Sequence, residues 1–276
     1  MDIMFAMGII LLGLAAGSFL NVIVFRLGSS ESILWGRSHC VSCKHVLQWS
    51  ELIPVLSFLV LGGKCRSCHE SISWRYPIVE LLTAGSFFLT YLRYKEVLFL
   101  NFPFSPFLSS SYTEVSFAFG LVFYLVIVFL LIGIAVYDWR TFIIAPALMI
   151  PFFALSAAGV FFGWLLGQPL ADASWTIVTA AAVFFFFFAI FYFSKGRALG
   201  FGDAELAPTI VLFLGAAKGA VALLLSFWIG AVVGVSLIIF GAAKMKSKIP
   251  FGPFLAAGAL LALWWGDALI WNYLNI

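Results

Sequence analysis

Residues 116–137 read SFAFGLVFYLVIVFLLIGIAVY, a run without a charge or a proline, and Asp138 follows it directly. The hydrocarbon core of a bilayer is about 30 Å thick, and an α-helix crosses it with about 20 apolar residues. A helix that is apolar on every face is either the buried centre of a large protein or a membrane span. The run therefore predicts a transmembrane helix that ends at an acidic residue.

The whole chain has the composition of a membrane protein. Of its 276 residues, 64% are hydrophobic and 10% are charged, and the mean hydropathy is +1.13. Soluble domains are roughly half apolar and about a quarter charged. A net charge of only +3 does not indicate a nucleic-acid partner. We predict an all-α polytopic membrane protein, solvated by lipid, with about eight transmembrane helices at residues 3–24, 77–93, 116–137, 142–165, 174–194, 203–217, 220–243 and 252–273.

The lysines and arginines indicate the orientation. If the polar segment after the first span is cytoplasmic, twelve of the fifteen basic residues lie in cytoplasmic loops and both termini lie outside, as the positive-inside rule requires. The first apolar stretch has no basic segment before it and is long enough to span, so we expect a retained helix rather than a cleaved signal. The chain then divides into a first transmembrane helix (1–25), a cytoplasmic loop (26–76) and a seven-helix membrane core (77–276).

The cytoplasmic loop contains all four cysteines, in two Cys-x-x-Cys pairs, Cys40 with Cys43 and Cys65 with Cys68. Two such pairs can close a tetrahedral zinc site, which would organise a loop too small to form its own core. The alternatives are unpaired thiols or two disulfides, although disulfides form in oxidising compartments and this loop is predicted to face the reducing cytosol. Three histidines beside the cysteines could replace one of them as a ligand: His39, His45 and His69.

Two acidic residues mark candidate chemistry, because carboxylates inside a membrane are costly and tend to be functional. Asp138 ends the third span and Asp203 opens the sixth, so both lie near the cytoplasmic face. Two adjacent carboxylates can activate water, one accepting its proton while the other, protonated, donates to a carbonyl. Gly200 and Gly202 precede Asp203 and permit close approach of a substrate backbone. The alternatives are a flexible loop ending in an N-cap aspartate, and a transporter or scaffold whose carboxylates serve ions or packing.

Six segments resemble, in order, the motifs of the type IV prepilin peptidases, a family of Gly-x-Gly-Asp intramembrane aspartyl proteases. They are GSFLNV (Gly17–Val22), the cysteine loop with ELIPVLSF (Glu51–Phe58), RYPIVELLT (Arg75–Thr83), DWRT (Asp138–Thr141), GFGD (Gly200–Asp203) and IPFGPFL (Ile249–Leu255). Each is weak alone, whereas six in order are specific and cover nearly the whole chain. The chain departs from the family's usual pattern at two positions: Glu205 stands where a lysine is common, and Pro146 comes one residue late.

The resemblance implies an eight-helix bundle in the bacterial cytoplasmic (inner) membrane, with its active site facing the cytoplasm and Asp138 and Asp203 as the catalytic pair. It implies that the substrates are type IV prepilins or pseudopilins of pilus or protein-secretion systems, cut after the glycine that ends a short basic leader. Members with the cysteine loop commonly also methylate the new N-terminus with S-adenosylmethionine. A peptidase without methyltransferase activity is the alternative within the family.

Overall fold

The computed structural model describes residues 3–28, 32, 35–98, 114–165, 168–242, 244 and 247–274. Regular structure in these residues is helical, apart from two isolated bridges, His39 with Val46 and Lys64 with Ser71. The chain forms two compact units, which we call the N-terminal unit (Met1–Glu96) and the C-terminal unit (Val97–Ile276).

The N-terminal unit is built on two helices that pack against each other, α1 and α3. Two glycines of α1, Gly13 and Gly17, make the packing close, because a Cβ atom at these positions would lie 2.6 and 2.7 Å from Cα atoms of α3. Pairs of small residues four apart let helix backbones meet inside membranes. The elements of the unit are α1 (Ile3–Leu27), a 3-10 turn (Trp49–Leu52), α2 (Leu56–Val60), α3 (Arg75–Arg93) and a π-helical turn (Tyr94–Leu98).

The described part of the C-terminal unit is a helical bundle around a short central helix, α7. Its helices are α4 (Glu114–Thr141), α5 (Pro146–Leu165), α6 (Leu170–Ser194), α7 (Phe201–Leu214), α8 (Ala216–Ile239) and α9 (Gly252–Leu274). Helix α7 packs against α5, α6, α8 and α9, while α4 packs against α5 and α9. Glycines again set the closest approaches: a Cβ at Gly219 of α8 would lie 2.8 Å from Val211 Cα, and one at Gly258 of α9 would collide with the Ser226 hydroxyl.

Within the part of the chain that the structure describes, six helices are long and apolar enough to cross a membrane: α1, α4, α5, α6, α8 and α9. The prediction of an all-helical, multi-pass membrane protein is therefore confirmed. Each of the eight expected spans corresponds to a helix, but those at 77–93 and 203–217 do not have the length and composition of a complete span among the described residues. Helix α7 has only 14 residues, about 21 Å at 1.5 Å per residue, and falls short of a hydrocarbon core of about 30 Å.

Candidate active site and metal centre

Asp138 lies in the last turn of α4 and is 4% exposed. Its Oδ2 atom accepts a hydrogen bond of 3.0 Å from the backbone N–H of Gly252, the first residue of α9. The first amides of a helix lack partners within that helix and favour a negative charge. A Cβ atom at Gly252 would lie 2.5 Å from the same oxygen. Only glycine therefore lets this amide reach the carboxylate.

Asp203 is the third residue of α7 and is 9% exposed. Its Oδ2 atom accepts a 3.1 Å hydrogen bond from the backbone N–H of Gly200, the residue that caps the helix. This is the half of a capping box in which the third helical residue reaches back to the cap. Between them, Gly202 faces Ile144, and a Cβ at Gly202 would lie only 2.9 Å from Ile144 Cβ. Gly200 thus donates its backbone N–H to Asp203, and the missing side chain of Gly202 leaves room for Ile144.

Two contacts bring the start of α7, the end of α4 and the start of α9 to one end of the C-terminal unit. The Asp138–Gly252 hydrogen bond joins α4 to α9. Gly202 touches Ile144, which lies between α4 and α5. Asp138 and Asp203 are then near enough for their charges to interact. The structure therefore brings Asp138, Asp203, Gly200 and Gly202 together, with each carboxylate fixed through one oxygen by a backbone amide.

The two departures from the family pattern are accommodated without disturbing these carboxylates. Glu205 is exposed and stands two residues after Asp203 in α7. Residues two apart in a helix do not face each other, so the negative charge of Glu205 points away from the buried carboxylate. Pro146 is the first residue of α5, a position where the missing N–H and the fixed φ of proline are well tolerated.

The four cysteines of the N-terminal unit are held by two turns of equivalent geometry. In the first turn, the Lys44 N–H donates to Cys40 O at 3.0 Å and the Cys40 N–H donates to His45 O at 2.8 Å. The second turn repeats both bonds, from His69 to Cys65 O at 3.0 Å and from Cys65 to Glu70 O at 2.9 Å. Lys44 and His69 both adopt a left-handed backbone, with φ of 59° and 56°. Because the two turns have the same geometry, both sulfurs of the first pair and both sulfurs of the second pair point toward a common centre.

All four Sγ atoms lie within 4.8 Å of one another, with 3.9 Å between those of Cys40 and Cys68 and 4.0 Å between those of Cys43 and Cys65. A disulfide needs about 2.05 Å, whereas zinc with four sulfurs at about 2.3 Å places them about 3.8 Å apart. The four cysteines could therefore hold a metal ion, and none of the three neighbouring histidines belongs to the group.

Backbone amides prepare two of the sulfurs to act as thiolates. The amides of Cys43 and Ser42 lower the pKa of the Cys40 thiol to about 7, against the effect of burial. The amides of Cys68 and Ser67 likewise lower the pKa of Cys65. The Glu70 amide lowers the pKa of Cys68, but burial and the other thiols outweigh it and raise that pKa to about 12. Clustered thiols without a cation share their protons, and a bound metal would displace these protons.

Sequence reasoning missed one part of the carboxylate site, the backbone amide of Gly252. The segment IPFGPFL stands out in the sequence as a motif at the start of the last helix. The glycine of this motif, Gly252, could have indicated the contact. A glycine at the first helical position has no side chain to block an approach to its backbone amide. No spacing rule connects it to Asp138, because the two residues lie 114 positions apart in the chain.

Comparison with protein families gives two adjacent matches. A family model described as the bacterial peptidase A24 N-terminal domain matches residues 11–94. A second, described as the type IV leader peptidase family, matches residues 124–235. The two candidate aspartates lie in the second match and the four cysteines in the first. No solved structure gives a significant match.

Curated relatives named prepilin leader peptidase/N-methyltransferase match the chain along most of its length. The relative from Bacillus subtilis is 33% identical, over 96% of this chain and 96% of the relative. Those from Aeromonas salmonicida and Pseudomonas aeruginosa are each 30% identical, over 97% and 98% of this chain and 93% and 94% of theirs. With identity at this level over nearly complete chains, this protein belongs to the type IV leader peptidase family.

Proposed function

We propose that the chain is a membrane aspartic endopeptidase that removes the leader of type IV prepilins or pseudopilins and methylates the new N-terminus. One observation carries the proteolytic part. Asp138 and Asp203, both nearly inaccessible, lie at one end of the helical bundle, and each is fixed by a backbone amide through Oδ2. Buried acidic residues in a membrane protein tend to be functional, and paired carboxylates can hydrolyse a peptide bond.

In this proposal, one aspartate of the pair is ionised and the other is protonated. The ionised carboxylate takes a proton from a water molecule whose oxygen forms a bond to the scissile carbonyl carbon. The protonated carboxyl donates to the carbonyl oxygen. When the C–N bond breaks, the leaving amine takes up a proton and becomes the new N-terminus of the pilin. The amides of Gly200 and Gly252 hold one oxygen of each aspartate, which orients the other toward the water.

Methylation of that N-terminus follows from the names that the relatives carry, and S-adenosylmethionine would supply the methyl group. The neutral amine attacks the methyl carbon as the carbon–sulfur bond breaks. The bonding electron pair stays on sulfur, so S-adenosylhomocysteine leaves as a neutral thioether, and the amine releases one proton to solvent.

We place the aspartate end of the bundle in the cytoplasm and the protein in the bacterial inner membrane. Among the described residues of the C-terminal unit, Arg140, Lys195 and Arg197 flank the aspartate end of the helices, as do Lys244 and Lys248. The opposite end contains Lys218, which is paired with Asp267 at 2.7 Å. Positive charge accumulates on the cytoplasmic side of membrane proteins, and this distribution supports the orientation.

The test is to mix purified, lipid-reconstituted protein with a prepilin and S-adenosylmethionine and to record the intact mass of the product. We expect loss of the leader together with a gain of one methyl group. Loss of the leader without the added methyl group would show that the protein is a peptidase without methyltransferase activity. An unchanged prepilin mass with folded protein would reject the proteolytic function.

Zinc is proposed as the metal of the cysteine cluster, since four thiolates in a tetrahedral arrangement select it. Protein assembled in a reducing cytosol is expected to contain about one zinc per chain. The double variant Cys40→Ser, Cys43→Ser should lose it, because two ligands of the four disappear. Plasma mass spectrometry would measure the zinc content.

The control for the zinc experiment is the double variant Ser42→Ala, Ser67→Ala. It changes side chains inside both turns but leaves their backbone amides and all four sulfurs in place, so zinc should stay bound. Two disulfides and no metal in the unmodified protein would contradict the assignment.

A further inference from the structure

An uncharged run lies in the middle of the segment that the sequence places in a cytoplasmic loop. Residues 52–63, which we call the α2 segment, read LIPVLSFLVLGG, and Ser57 supplies the one polar side chain. An apolar run of about 10–14 residues is too short to span a membrane and is typical of a buried core helix or of a re-entrant or interfacial segment. A buried core helix is excluded here, because Leu56, Leu59 and Val60 are 53%, 62% and 76% exposed.

The level of the α2 segment relative to the membrane follows from the packing of α3 on α1, which is long and apolar enough to be a span. Gly17 of α1 lies against the backbone of Glu80 in α3. One turn later in α1, the Asn21 side chain donates to Tyr76 O at 3.2 Å, so the two helices are antiparallel. Arg26 is the only charged residue of α1, and it comes nine residues after Gly17, about 14 Å at 1.5 Å per residue. Glu80 therefore lies well inside the apolar part of α1.

The α2 segment is bound to α3 at this level. The buried Glu80 carboxylate accepts the Val55 N–H at 2.7 Å. The Glu80 side chain and this hydrogen bond together are shorter than the distance from Glu80 to the level of Arg26, so Val55 also lies beside the apolar part of α1. The Phe58 ring packs edge-on against Trp74, the residue before α3, with 4.8 Å between the ring centroids. Tryptophan is enriched at the membrane–water interface, which agrees with this level.

The backbone of the α2 segment meets the condition for such a position. Non-helical backbone at membrane depth has to find its partners within the protein, because the hydrocarbon region supplies none. Pro54 has no N–H, and Val55 has φ of 61°, an outlier for a branched residue, with Glu80 as the acceptor for its N–H. After α2, the chain turns at Gly62 and Gly63, whose N–H groups donate to carbonyls of α2 at 3.1 and 2.8 Å. The turns on both sides of α2 thus pair their amides without water.

Exposed positive charges border the α2 segment. Lys64 and Arg66 follow it directly and are exposed, and Arg75 is exposed at the first position of α3. The acidic residue that precedes the segment is not available to the surface, since the Glu51 side chain is 4% exposed and accepts the Gln48 N–H at 2.7 Å. An apolar face bordered by exposed cations fits the interface of a membrane that contains anionic headgroups.

We infer that the α2 segment inserts into the leaflet on the loop's side of the membrane and binds anionic phospholipid there. Leu56, Leu59 and Val60 contact the acyl chains. Lys64 and Arg66 contact the phosphate groups above them. The loop between α1 and α3 is then attached to the membrane at its middle as well as at its two ends. This membrane contact is independent of the proposed peptidase and methyltransferase activities.

The test uses the full-length, zinc-loaded protein in nanodiscs of phosphatidylethanolamine and phosphatidylglycerol, with a phospholipid that carries a photoreactive diazirine in its acyl chain. After illumination, peptide mass spectrometry locates the cross-linked residues. We expect cross-links at Leu56, Leu59 and Val60 in a yield similar to that at Leu11, an exposed residue in the middle of α1. Val46, an exposed apolar residue beside the first cysteine turn, is the internal control and should stay unlabelled.

A second measurement compares headgroups, using diazirine-labelled phosphatidylglycerol and phosphatidylcholine. The ratio of their cross-linking yields at the α2 segment should fall about fivefold in Lys64→Gln and about fivefold in Arg66→Gln, the usual effect of one basic residue at an anionic surface. The matched control is Lys95→Gln, which removes an exposed lysine beyond the other end of α3 and should leave the ratio unchanged. Zinc content should be the same in all three variants.

Three results would contradict the inference. Absence of cross-links at residues 56–60, with Leu11 labelled, would show that water or another part of the protein covers α2. Equal labelling of Val46 and Leu59 would show that the lipid probe does not distinguish the α2 segment from the rest of the loop. Labelling of the α2 segment with an unchanged headgroup ratio in both charge variants would reject anionic phospholipid as the partner.

Discussion

Replacement of either Asp138 or Asp203 by asparagine is expected to slow prepilin cleavage by about 10²–10⁴-fold, the usual contribution of one positioned proton-transfer group. Each carboxylate is buried and bound by one backbone amide. Asparagine keeps the shape and retains an oxygen for that amide, so folding should survive. Cleavage rates from intact-mass time courses would give the size of the loss.

The two asparagine variants should differ in what little activity they retain. An Asn at 138 can accept the Gly252 N–H through its oxygen and still present an N–H donor toward the scissile carbonyl. Asp203 lies inside the first turn of α7, where negative charge is stabilised. Asp138 lies in the last turn of α4, where negative charge is disfavoured, and a single amide, that of Gly252, offsets this. An Asn at 203 cannot accept a proton from water. We therefore expect any residual turnover in Asp138→Asn.

Asp172→Asn is the control for both variants, because Asp172 is an exposed acid in the first turn of α6 and should leave the rate unchanged. Turnover in Asp203→Asn with none in Asp138→Asn would reverse the roles. Full activity in either variant would show that the two aspartates do not act together in cleavage.

Gly252→Ala is expected to lower the cleavage rate by about 10²-fold, although residue 252 contributes no side-chain chemistry. A methyl group at this position would lie 2.5 Å from Asp138 Oδ2, so either the carboxylate or the start of α9 has to move. A displacement of about 1 Å at a reacting group can cost about 10²-fold in rate. The loss should appear in kcat rather than in KM, because substrate contacts elsewhere are unaffected.

The matched control for Gly252→Ala is Gly234→Ala in α8, where nothing lies within 4 Å of the added Cβ. It makes the same chemical change in a membrane helix without touching a carboxylate. Equal rates in the two variants would show that the Gly252 amide does not position Asp138. A fall in thermal stability in Gly252→Ala alone, without a fall in kcat, would assign the glycine to packing.

The features that sequence reasoning predicted are those that depend on local composition. Apolar runs of membrane length predict helices because the bilayer forces internal hydrogen bonding. Asp138 stands out because it directly follows such a run, and the four cysteines stand out because each pair forms a local turn. Complete spans are harder to predict from composition alone: α7 is apolar but stops after 14 residues.

The features that sequence reasoning could not reach depend on distant parts of the chain meeting. The Gly252 amide can bind the Asp138 carboxylate only once the chain folds so that α9 starts beside Asp138. The Glu80 carboxylate accepts the Val55 N–H at 2.7 Å only once the segment before α2 lies beside α3. One contact was within reach, since Gly13 and Gly17 form a Gly-x-x-x-Gly pair in an apolar helix, a known sign of close helix packing.

The shortness of α7 bears on how water reaches the site of hydrolysis. Its neighbours in sequence, α6 and α8, have 25 and 24 residues, about 37 and 36 Å. Helix α7 packs among α5, α6, α8 and α9, so protein rather than lipid borders most of it. Non-helical backbone at membrane depth is tolerated only where protein or a water-filled cavity shields it. We therefore expect water to reach Asp203 through the bundle from the end of α7, and turnover to change little as lipids with longer chains thicken the membrane around the enzyme.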